Sequence, residues 1–395
     1  EDGIRDSVAS RGLGDVYKRQ DIYYICFIRN DMIVKELLET LEQWAPTAYA
    51  EDFDNVGLLI GDKKSNCSGV IITLDCTEDV VDEAISKKCN VIISFHPIIF
   101  KGLKKITGSN YVERVTIKAI KNNISIIVLH TRLDNHPEGV NHVLCDRLKI
   151  NNSRVLIPKK NNLKKLIAYV PESHTESVLD ALHVAGAGNL GKYRECSFLL
   201  DGTGSFKGIE KSNPHIGKPS EKVSLKEIQI NVVFESHLLN EIQKALREAH
   251  PYETVAYEVY SLINSFSGVG IGRIGYLEKE MDLSSFLNHL KKQLKSNSIR
   301  HSPPPKKLIK KVAVVAGSGS FAIEDAKRQG ADAFITADLK YHQFYQGEKS
   351  VLLVDVGHYE SEQYVKNLIF DYLTKKLPNF AIVLSQTKTN PVNYF

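Results

Sequence analysis

Imidazole and carboxylate side chains follow apolar segments of this sequence, in spacings that suit a divalent metal ion. His358 and Glu362 are four residues apart at the expected start of a helix, so both can face one cation. His96 stands between an apolar segment and Pro97, and the restriction on a residue before proline holds it rigidly. Simpler interpretations stay open, because a helix-start glutamate, a loop histidine and a terminated strand explain the same residues.

A further apolar segment ends at His130, and Asp134 stands four residues later. Asp134 could bridge two cations, and His130 could be a ligand or could orient that carboxylate. A turn is the alternative for Asp134, since turn-forming residues follow it. Together the four candidates offer two imidazoles and two carboxylates, a set that suits zinc, manganese or iron. They are His96, Asp134, His358 and Glu362.

Alternating apolar and amphipathic segments predict the strands and helices that position these side chains. The predicted strands cover 69–76, 90–95 and 124–130, and the helices cover 77–88 and 111–122. Strands that are apolar on both faces and separated by helices are typical of a parallel sheet covered on both sides. Because ligands of such sheets lie beyond the carboxyl ends of the strands, we expect His96 and His130 at one rim.

A different order of elements begins near Lys164. The predicted elements are strand 166–171, helix 175–185, strands 196–200 and 227–234, helix 238–249 and strand 254–262, with a polar loop over 201–219. This β-α-β-β-α-β order suggests a ferredoxin-like unit, a small antiparallel sheet backed by two helices. After Gly275 the alternation of apolar strands and amphipathic helices returns, and His358 follows one of these strands. We therefore interpret the unit as an insertion.

The predicted architecture is an α/β protein with a two-part core domain. Its mixed and parallel sheets are split by an inserted ferredoxin-like α+β domain. The expected division is a leader at 1–31, core halves at 32–160 and 266–395, and the inserted domain at 161–265. Because the leader lacks a helical or strand period and Met32 opens a clean amphipathic pattern, we expect residues 1–31 to be non-native or disordered.

Composition excludes several classes of protein. The chain has 395 residues, 43% of them hydrophobic and 25% charged, and a net charge of +4, so no strong field attracts nucleic acid or an anionic membrane. A solvated proline linker explains the basic stretch 291–311 equally well, and we do not expect nucleic acid binding. Six scattered cysteines without a C-x-x-C pair favour a reducing cytoplasm. No apolar run reaches the roughly 18–20 residues of a membrane span.

Two glycine-rich strings resemble nucleotide-binding turns. Gly270-x-Gly272-x-x-Gly275 matches the dinucleotide fingerprint, but no helix is expected to begin at Gly275. Gly317-Ser-Gly319 follows a predicted strand and precedes a helix, so its amides could hold an anion. Without a Walker lysine, close packing of strand against helix is the favoured interpretation of the second string.

Five motifs, taken together, resemble the NGG-interacting-factor-three-like metal proteins, which in bacteria carry the name GTP cyclohydrolase 1 type 2 homologs. The motifs are DNVGLLIG (54–61), SFHPIIF (94–100), HTRLDN (130–135), ITADLKYH (335–342) and GHYESE (357–362). The resemblance extends from Met32 to Phe395. GAGNLGKYRECSF (186–198) and HPYE (250–253) are similar to the CutA-like or PII-like middle domain of the family's longer members.

The resemblance implies a dinuclear divalent-metal site between the core halves and a toroidal homohexamer. By motif, the ligands of one or two ions per subunit would be His96, Asp134, His358 and Glu362. Many members have two consecutive histidines before the proline. Phe95 stands at the first of these positions, which removes a nitrogen ligand from one metal.

The implied activity is metal-assisted hydrolysis of a nucleotide-like or phosphorylated small molecule whose identity the sequence does not give. His130, or His342 in the YH motif, would orient a ligand, contact the substrate or move protons near neutral pH. The alternative is a non-catalytic metal-binding protein with a regulatory or scaffold role, acting through its PII-like insertion. An open position on the metal would separate the two classes.

Overall fold

Three β-sheets with packed helices organise residues 32–264 and 268–395, the part of the chain that the computed structural model describes. The predicted leader at 1–31 lies outside the described residues. The strands are β1 (Gly57–Ile60), β2 (Val70–Thr73), β3 (Val91–Ser94), β4 (Ser125–Val128), β5 (Ile150–Pro158), β6 (Leu163–Pro171), β7 (Ser197–Lys207), β8 (Lys222–Glu235), β9 (Tyr257–Ser261), β10 (Gly270–Met281), β11 (Arg300–His301), β12 (Ile309–Ser318), β13 (Ala333–Ala337), β14 (Leu352–Asp355) and β15 (Ile382–Leu384).

The α-helices differ widely in length, from one turn to about three turns. They are α1 (Val34–Trp44), α2 (Glu78–Ser86), α3 (Tyr111–Lys121), α4 (Thr131–Asp134), α5 (Val140–Arg147), α6 (Thr175–Val184), α7 (Leu239–Ala249), α8 (Leu283–Leu294), α9 (Ile323–Arg328), α10 (His358–Glu362) and α11 (Val365–Lys376). Among the described residues, none of these helices has the length and apolar character needed to cross a bilayer.

The first sheet has the strand order β1-β4-β3-β2-β15. Strands β15, β2, β3 and β4 are parallel, and β1 is antiparallel to β4. Every residue of β2, β3 and β4 is buried, as expected for strands that are apolar on both faces. Helix α2 begins after Thr77, whose hydroxyl accepts a hydrogen bond from the Val80 amide. The parallel strands predicted for this part of the chain are therefore confirmed.

The second sheet has the strand order β11-β14-β13-β12-β10-β5. Its centre, β12, β13 and β14, is parallel, and the strands on either side are antiparallel. Strand β5 precedes β6–β9 in the chain and pairs with β10 after them, whereas β15, near the end of the chain, joins the first sheet beside β2. The two parts of the core thus exchange strands. The domain boundaries at 160 and 266 stay a prediction.

One apolar core joins the two large sheets. It contains Ile93 of β3 and Val314 of β12, together with Leu37 of α1, Leu290 of α8 and Leu373 of α11, all completely buried. Burying an aliphatic side chain of this size contributes about 1.5–3 kcal/mol to folding. This shared core holds the sheets against each other, so that strand ends from both can build one site.

The third sheet belongs to the unit between β5 and β10. Its order is β7-β8-β6-β9, all antiparallel, and α6 and α7 pack on it around Leu166 and Ile230. The β-α-β-β-α-β order of elements follows the prediction. Strand β8 begins earlier than predicted, and β7 continues into the expected loop 201–219, where Gly204 pairs with Leu225. The glycine and polar residues at 201–207 predicted a loop, but their backbones pair with β8 in an exposed two-stranded ribbon.

Candidate metal centre

The carboxyl ends of parallel strands in both large sheets meet at one place. His96 follows β3 and His130 follows β4 in the first sheet, while Asp338 follows β13 and His358 follows β14 in the second. Because the shared core fixes the two rims, His96 contacts Glu362, which lies 266 positions further along the chain. The strand ends expected at one rim of the first sheet thus meet strand ends of the second sheet as well.

Three predicted ligands converge on a single point. His96 Nε2 lies 2.9 Å from Glu362 Oε2, and His358 Nε2 lies 3.0 Å from the same oxygen. The two imidazole nitrogens are 3.4 Å apart. One ligand atom from each residue lies within 4.8 Å of the others, which is close enough for a single ion to bind all three.

Glycines allow the close approach of α10 to the second sheet. Helix α10 is one turn long, so His358 and Glu362 face the same side, as the four-residue spacing predicts. Gly317, at the end of β12, has φ +65°, and a Cβ there would lie 2.2 Å from Glu362 Oε1. This glycine therefore leaves room for the carboxylate, which supports packing as the role of Gly317-Ser-Gly319.

Asp134 lies beside this group without a hydrogen-bond partner for one of its oxygens. The side chain is buried at the end of α4, and Oδ1 accepts no hydrogen bond. Burial, with the nearby charge of Glu362, raises the pKa of Asp134 well above its usual value. A cation at the point of convergence would give this buried carboxylate a direct partner for its free oxygen. The residues present thus fit a divalent metal ion.

Three aspartates orient the histidines of the site. Each imidazole contacts a carboxylate through Nδ1. Its other ring nitrogen, Nε2, is therefore the one that could bind a metal ion. The pairs are His96–Asp75 at 2.7 Å, His130–Asp54 at 2.8 Å and His358–Asp338 at 2.6 Å. Sequence reasoning did not assign these aspartates. Their positions after β2, in the motif at 54–61 and after β13 were the available signals, but an aspartate after a strand is equally typical of a turn.

Charge pairing and hydrogen bonds together outweigh burial in setting the pKa values of the three predicted ligands that converge. Burial alone would lower the pKa of His96, but hydrogen bonds to Asp75 and Glu362 outweigh it and raise that pKa to about 9. Burial would likewise lower the pKa of His358, but hydrogen bonds to Asp338 and Glu362 outweigh it and raise that pKa to about 11. Burial would raise the pKa of Glu362, yet hydrogen bonds from both imidazoles hold it at about 2. A divalent cation would replace imidazole protons here, so binding should release protons.

An apolar ring occupies the position where the resemblance expects another histidine. Phe95 is completely buried, and its ring centroid lies 5.1 Å from that of His96 and 5.7 Å from that of His130. His130 itself adopts the unusual φ of +32° and lies 5.6 Å, ring to ring, from His96. His130 therefore remains available beside the group, while Phe95 offers no ligand atom.

A cavity of about 640 Å³ gives access to the site from solvent. His96, His130 and His358 line it together with Arg300, the one lysine or arginine among its described lining residues. The segment 390–394 near the end of the chain forms another wall and contributes Tyr394. Neither Arg300 nor this tail was singled out from the sequence, since neither lies at the end of a predicted core strand.

His342 lies apart from this cavity. It is exposed on the short 3-10 segment Tyr341–Gly347, where its ring contacts Tyr341 at 5.1 Å between centroids. It is not among the residues that line the cavity. Its role in proton transfer or ligand orientation stays a prediction.

Comparisons with known proteins place the chain in one family. The model of the Duf34/NIF3 (NGG1p interacting factor 3) family matches residues 32–391. A GTP cyclohydrolase 1 type 2 homolog of Staphylococcus epidermidis is 36% identical over 367 residues, which cover 92% of this chain and 100% of that protein. A protein of the same name from Bacillus subtilis is 37% identical over 370 residues, covering 91% and 98%.

A solved structure gives the same result. The crystal structure of a Bacillus cereus protein related to NIF3 has a TM-score of 0.82 and 36% identity, and the match covers 92% of this chain and 99% of that one. The mixed α/β fold with several sheets is therefore shared with that protein. The resemblance expected from the five motifs is confirmed, and the chain belongs to the Duf34/NIF3 family.

Proposed function

We propose that this protein is a divalent-metal-dependent hydrolase that acts on a nucleotide-like or phosphorylated small molecule. One observation carries the proposal. Two imidazole nitrogens and a carboxylate converge beside the partnerless oxygen of Asp134, at a cavity large enough for a small molecule. The proposed metal is zinc, manganese or iron, because these ions accept mixed imidazole and carboxylate ligands.

The residues divide into those that hold the ion and those that fix their orientation. His96 and His358 would bind through Nε2, and Glu362 and Asp134 would bind through oxygen and balance the charge. When bound, a divalent cation supplies Lewis-acid polarisation and lowers the pKa of a coordinated water toward about 7. We propose one firmly held ion, and a second that is held more weakly because Phe95 offers no nitrogen.

His130 is the proposed proton carrier. It lines the cavity, and its Nδ1 donates to Asp54, so Nε2 is the ring nitrogen left to accept or deliver a proton. Its ring lies beside that of His96, close enough to the site to act as a further metal ligand instead. His342 is the more remote candidate for either role.

The cavity also supports the proposed substrate class. Arg300 has a 59% exposed side chain and forms an ion pair with Asp355, so its guanidinium can meet a phosphate at the cavity wall. Tyr359 and Tyr394 line the same cavity and offer ring surfaces to a base or another planar group. A phosphorylated substrate would therefore contact the ion and Arg300 together.

The assembly and setting of the protein complete the proposal. We propose a toroidal homohexamer, as the family resemblance implies, and a ferredoxin-like, PII-like domain between the two core parts. The described cysteines are all free thiols, four of them buried, which supports a reducing cytoplasm. Light scattering of the purified chain tests the hexamer, since monomer and hexamer differ sixfold in mass.

Elemental analysis followed by a hydrolase screen tests the activity. Wild type, Asp134→Ala and the control Asp146→Ala, at an exposed aspartate of α5, would be compared on nucleotides and phosphoesters. The proposal expects bound metal and metal-dependent turnover in the wild type and the control, and a loss of at least about 100-fold in Asp134→Ala. Bound metal without turnover would favour the alternative, a regulatory or scaffold protein. No bound metal in the wild type would contradict both.

A further inference from the structure

A second cavity, of about 690 Å³, lies in the inserted unit and shares no lining residue with the metal-site cavity. Its volume falls within the roughly 300–1,000 Å³ of small-molecule sites. Strands β7 and β8 and the loop before β9 supply most of its wall. Nothing in the family comparison assigns a ligand to this place.

A buried carboxylate is built into this cavity. Glu227 is 9% exposed, and its Oε1 accepts a 2.8 Å hydrogen bond from the Tyr252 hydroxyl. Gly204 stands against the other oxygen, since a Cβ there would lie 1.8 Å from Glu227 Oε2. Because Gly204 has no side chain, there is room for the Glu227 carboxylate in the cavity wall.

Aromatic rings cluster around Tyr252, the hydrogen-bond partner of this carboxylate. The ring of Tyr252 lies 6.1 Å, centroid to centroid, from Phe206, 6.2 Å from His215 and 4.8 Å from His250. Phe206, His215 and Tyr252 all line the cavity. Aromatic faces carry partial negative charge and attract cations within about 6 Å.

The charges of the lining favour the same kind of ligand. Asp201, Glu227 and Glu253 line the cavity, against a single ammonium, that of Lys207. His250 adds no positive charge, because its Nε2 donates to a backbone carbonyl while its Nδ1 accepts the backbone N–H of residue 252. Burial also lowers the pKa of His250.

The arrangement does not suit a metal ion. Within residues 32–264 and 268–395, the group of histidine, cysteine and carboxylate ligand atoms close enough to share an ion is His96, His358 and Glu362, in the other cavity. A buried carboxylate in a cavity that is also lined by aromatic side chains matches an organic cation.

We propose that this cavity binds a small organic cation, an ammonium or amidinium group on an aromatic or apolar body. Glu227 is its charge partner, and Tyr252 and Phe206 are its ring contacts. The site is separate from the metal centre, so the proposal holds whether or not the protein is a hydrolase.

Three probes that share one ring and differ in charge test the proposal on the full chain. Benzamidine is a cation, benzamide is its neutral isostere and benzoate is an anion, and binding is followed by calorimetry or protein NMR. We expect saturable binding of benzamidine, at least about tenfold tighter than binding of the other two. No saturation by about 50 mM, equal binding of benzamide, or a preference for benzoate would overturn the proposal.

Matched variants locate the binding. Glu227→Gln keeps an acceptor for Tyr252 and removes the charge, so benzamidine should bind at least about tenfold more weakly. Tyr252→Phe keeps the ring and removes the competing hydroxyl, so affinity should be kept or raised. Glu241→Gln, on the exposed face of α7, should change nothing. Unchanged affinity in Glu227→Gln would overturn the assignment. If Glu227→Gln does not fold, the exposed lining variant Asp201→Asn takes its place. We expect it to bind benzamidine about threefold more weakly, and unchanged affinity would overturn the assignment.

Discussion

Thr389 Oγ1 donates a 2.8 Å hydrogen bond to Asp75 Oδ2, the carboxylate whose other oxygen contacts His96 Nδ1. The tail of the chain thus helps to fix a proposed metal ligand that lies almost 300 positions earlier. Outer partners of this kind typically change metal affinity by about 10–100-fold when they are removed. Thr389→Val should therefore weaken metal binding about tenfold, measured by competition with a chelator. Thr389→Ser keeps the hydroxyl and should bind as the wild type does, and equal affinity in both variants would contradict this role.

Gly317→Ala should disturb the site through Glu362. The added methyl group would lie 2.2 Å from Glu362 Oε1, and the φ of +65° strains alanine by about 1–2 kcal/mol. Gly330 has a similar φ of +69° with nothing near its Cβ position, so Gly330→Ala carries the strain without the collision. Metal affinity should fall at least about tenfold in Gly317→Ala and stay unchanged in Gly330→Ala. Equal affinities in the two would contradict this effect on the site.

Phe95→His should increase the amount of metal bound. The change places an imidazole beside the rings of His96 and His130, where the family resemblance expects a ligand. We expect the metal content per chain, measured by mass spectrometry of the elements, to rise from about one toward two. Replacing a buried phenyl ring with imidazole should cost about 1–3 kcal/mol of stability in the metal-free protein. An unchanged metal content would contradict the weak second site.

Glu83 makes the attachment of the tail dependent on pH. Burial would raise its pKa, but hydrogen bonds from the Gln386 amide, Lys87 and Ser385 outweigh it and lower the pKa to about 2. Since the folded-state pKa lies below the unfolded value of 4.5, the stabilisation is present above about pH 4.5 and is lost as the pH falls toward 2. Hydrogen exchange of residues 386 and 387 should therefore accelerate in that range, after correction for intrinsic rates.

The matched variants for this prediction are Glu83→Gln and Glu39→Gln. Glu83→Gln should lose about 1 kcal/mol of protection at pH 7, a figure discounted for solvent screening, and should show little further change on acidification. Glu39 makes only an exposed 3.6 Å ion pair with Lys35, so its variant should behave as the wild type does. Exchange at 386 and 387 that does not depend on Glu83 would contradict the attachment.

Hydrophobic patterning was enough to predict where His96, His130 and His358 stand, because each follows an apolar strand that is buried in the fold. The four-residue spacing likewise predicted that His358 and Glu362 face one side. The pairing of β5 with β10 and of β15 with β2 was not predictable, since pairing between distant strands leaves no local pattern. Thr389 and Tyr394 were not predictable either. The tail that carries them is held by side-chain contacts and has no hydrophobic period of its own.

Anomalous diffraction from crystals loaded with zinc or manganese tests the central claim most directly. We expect a metal peak about 2.0–2.2 Å from His96 Nε2, His358 Nε2 and a Glu362 oxygen, with the partnerless Asp134 oxygen turned toward it. A metal bound elsewhere in the loaded protein, with His96, His358 and Glu362 contacting one another as they do without it, would contradict this metal site.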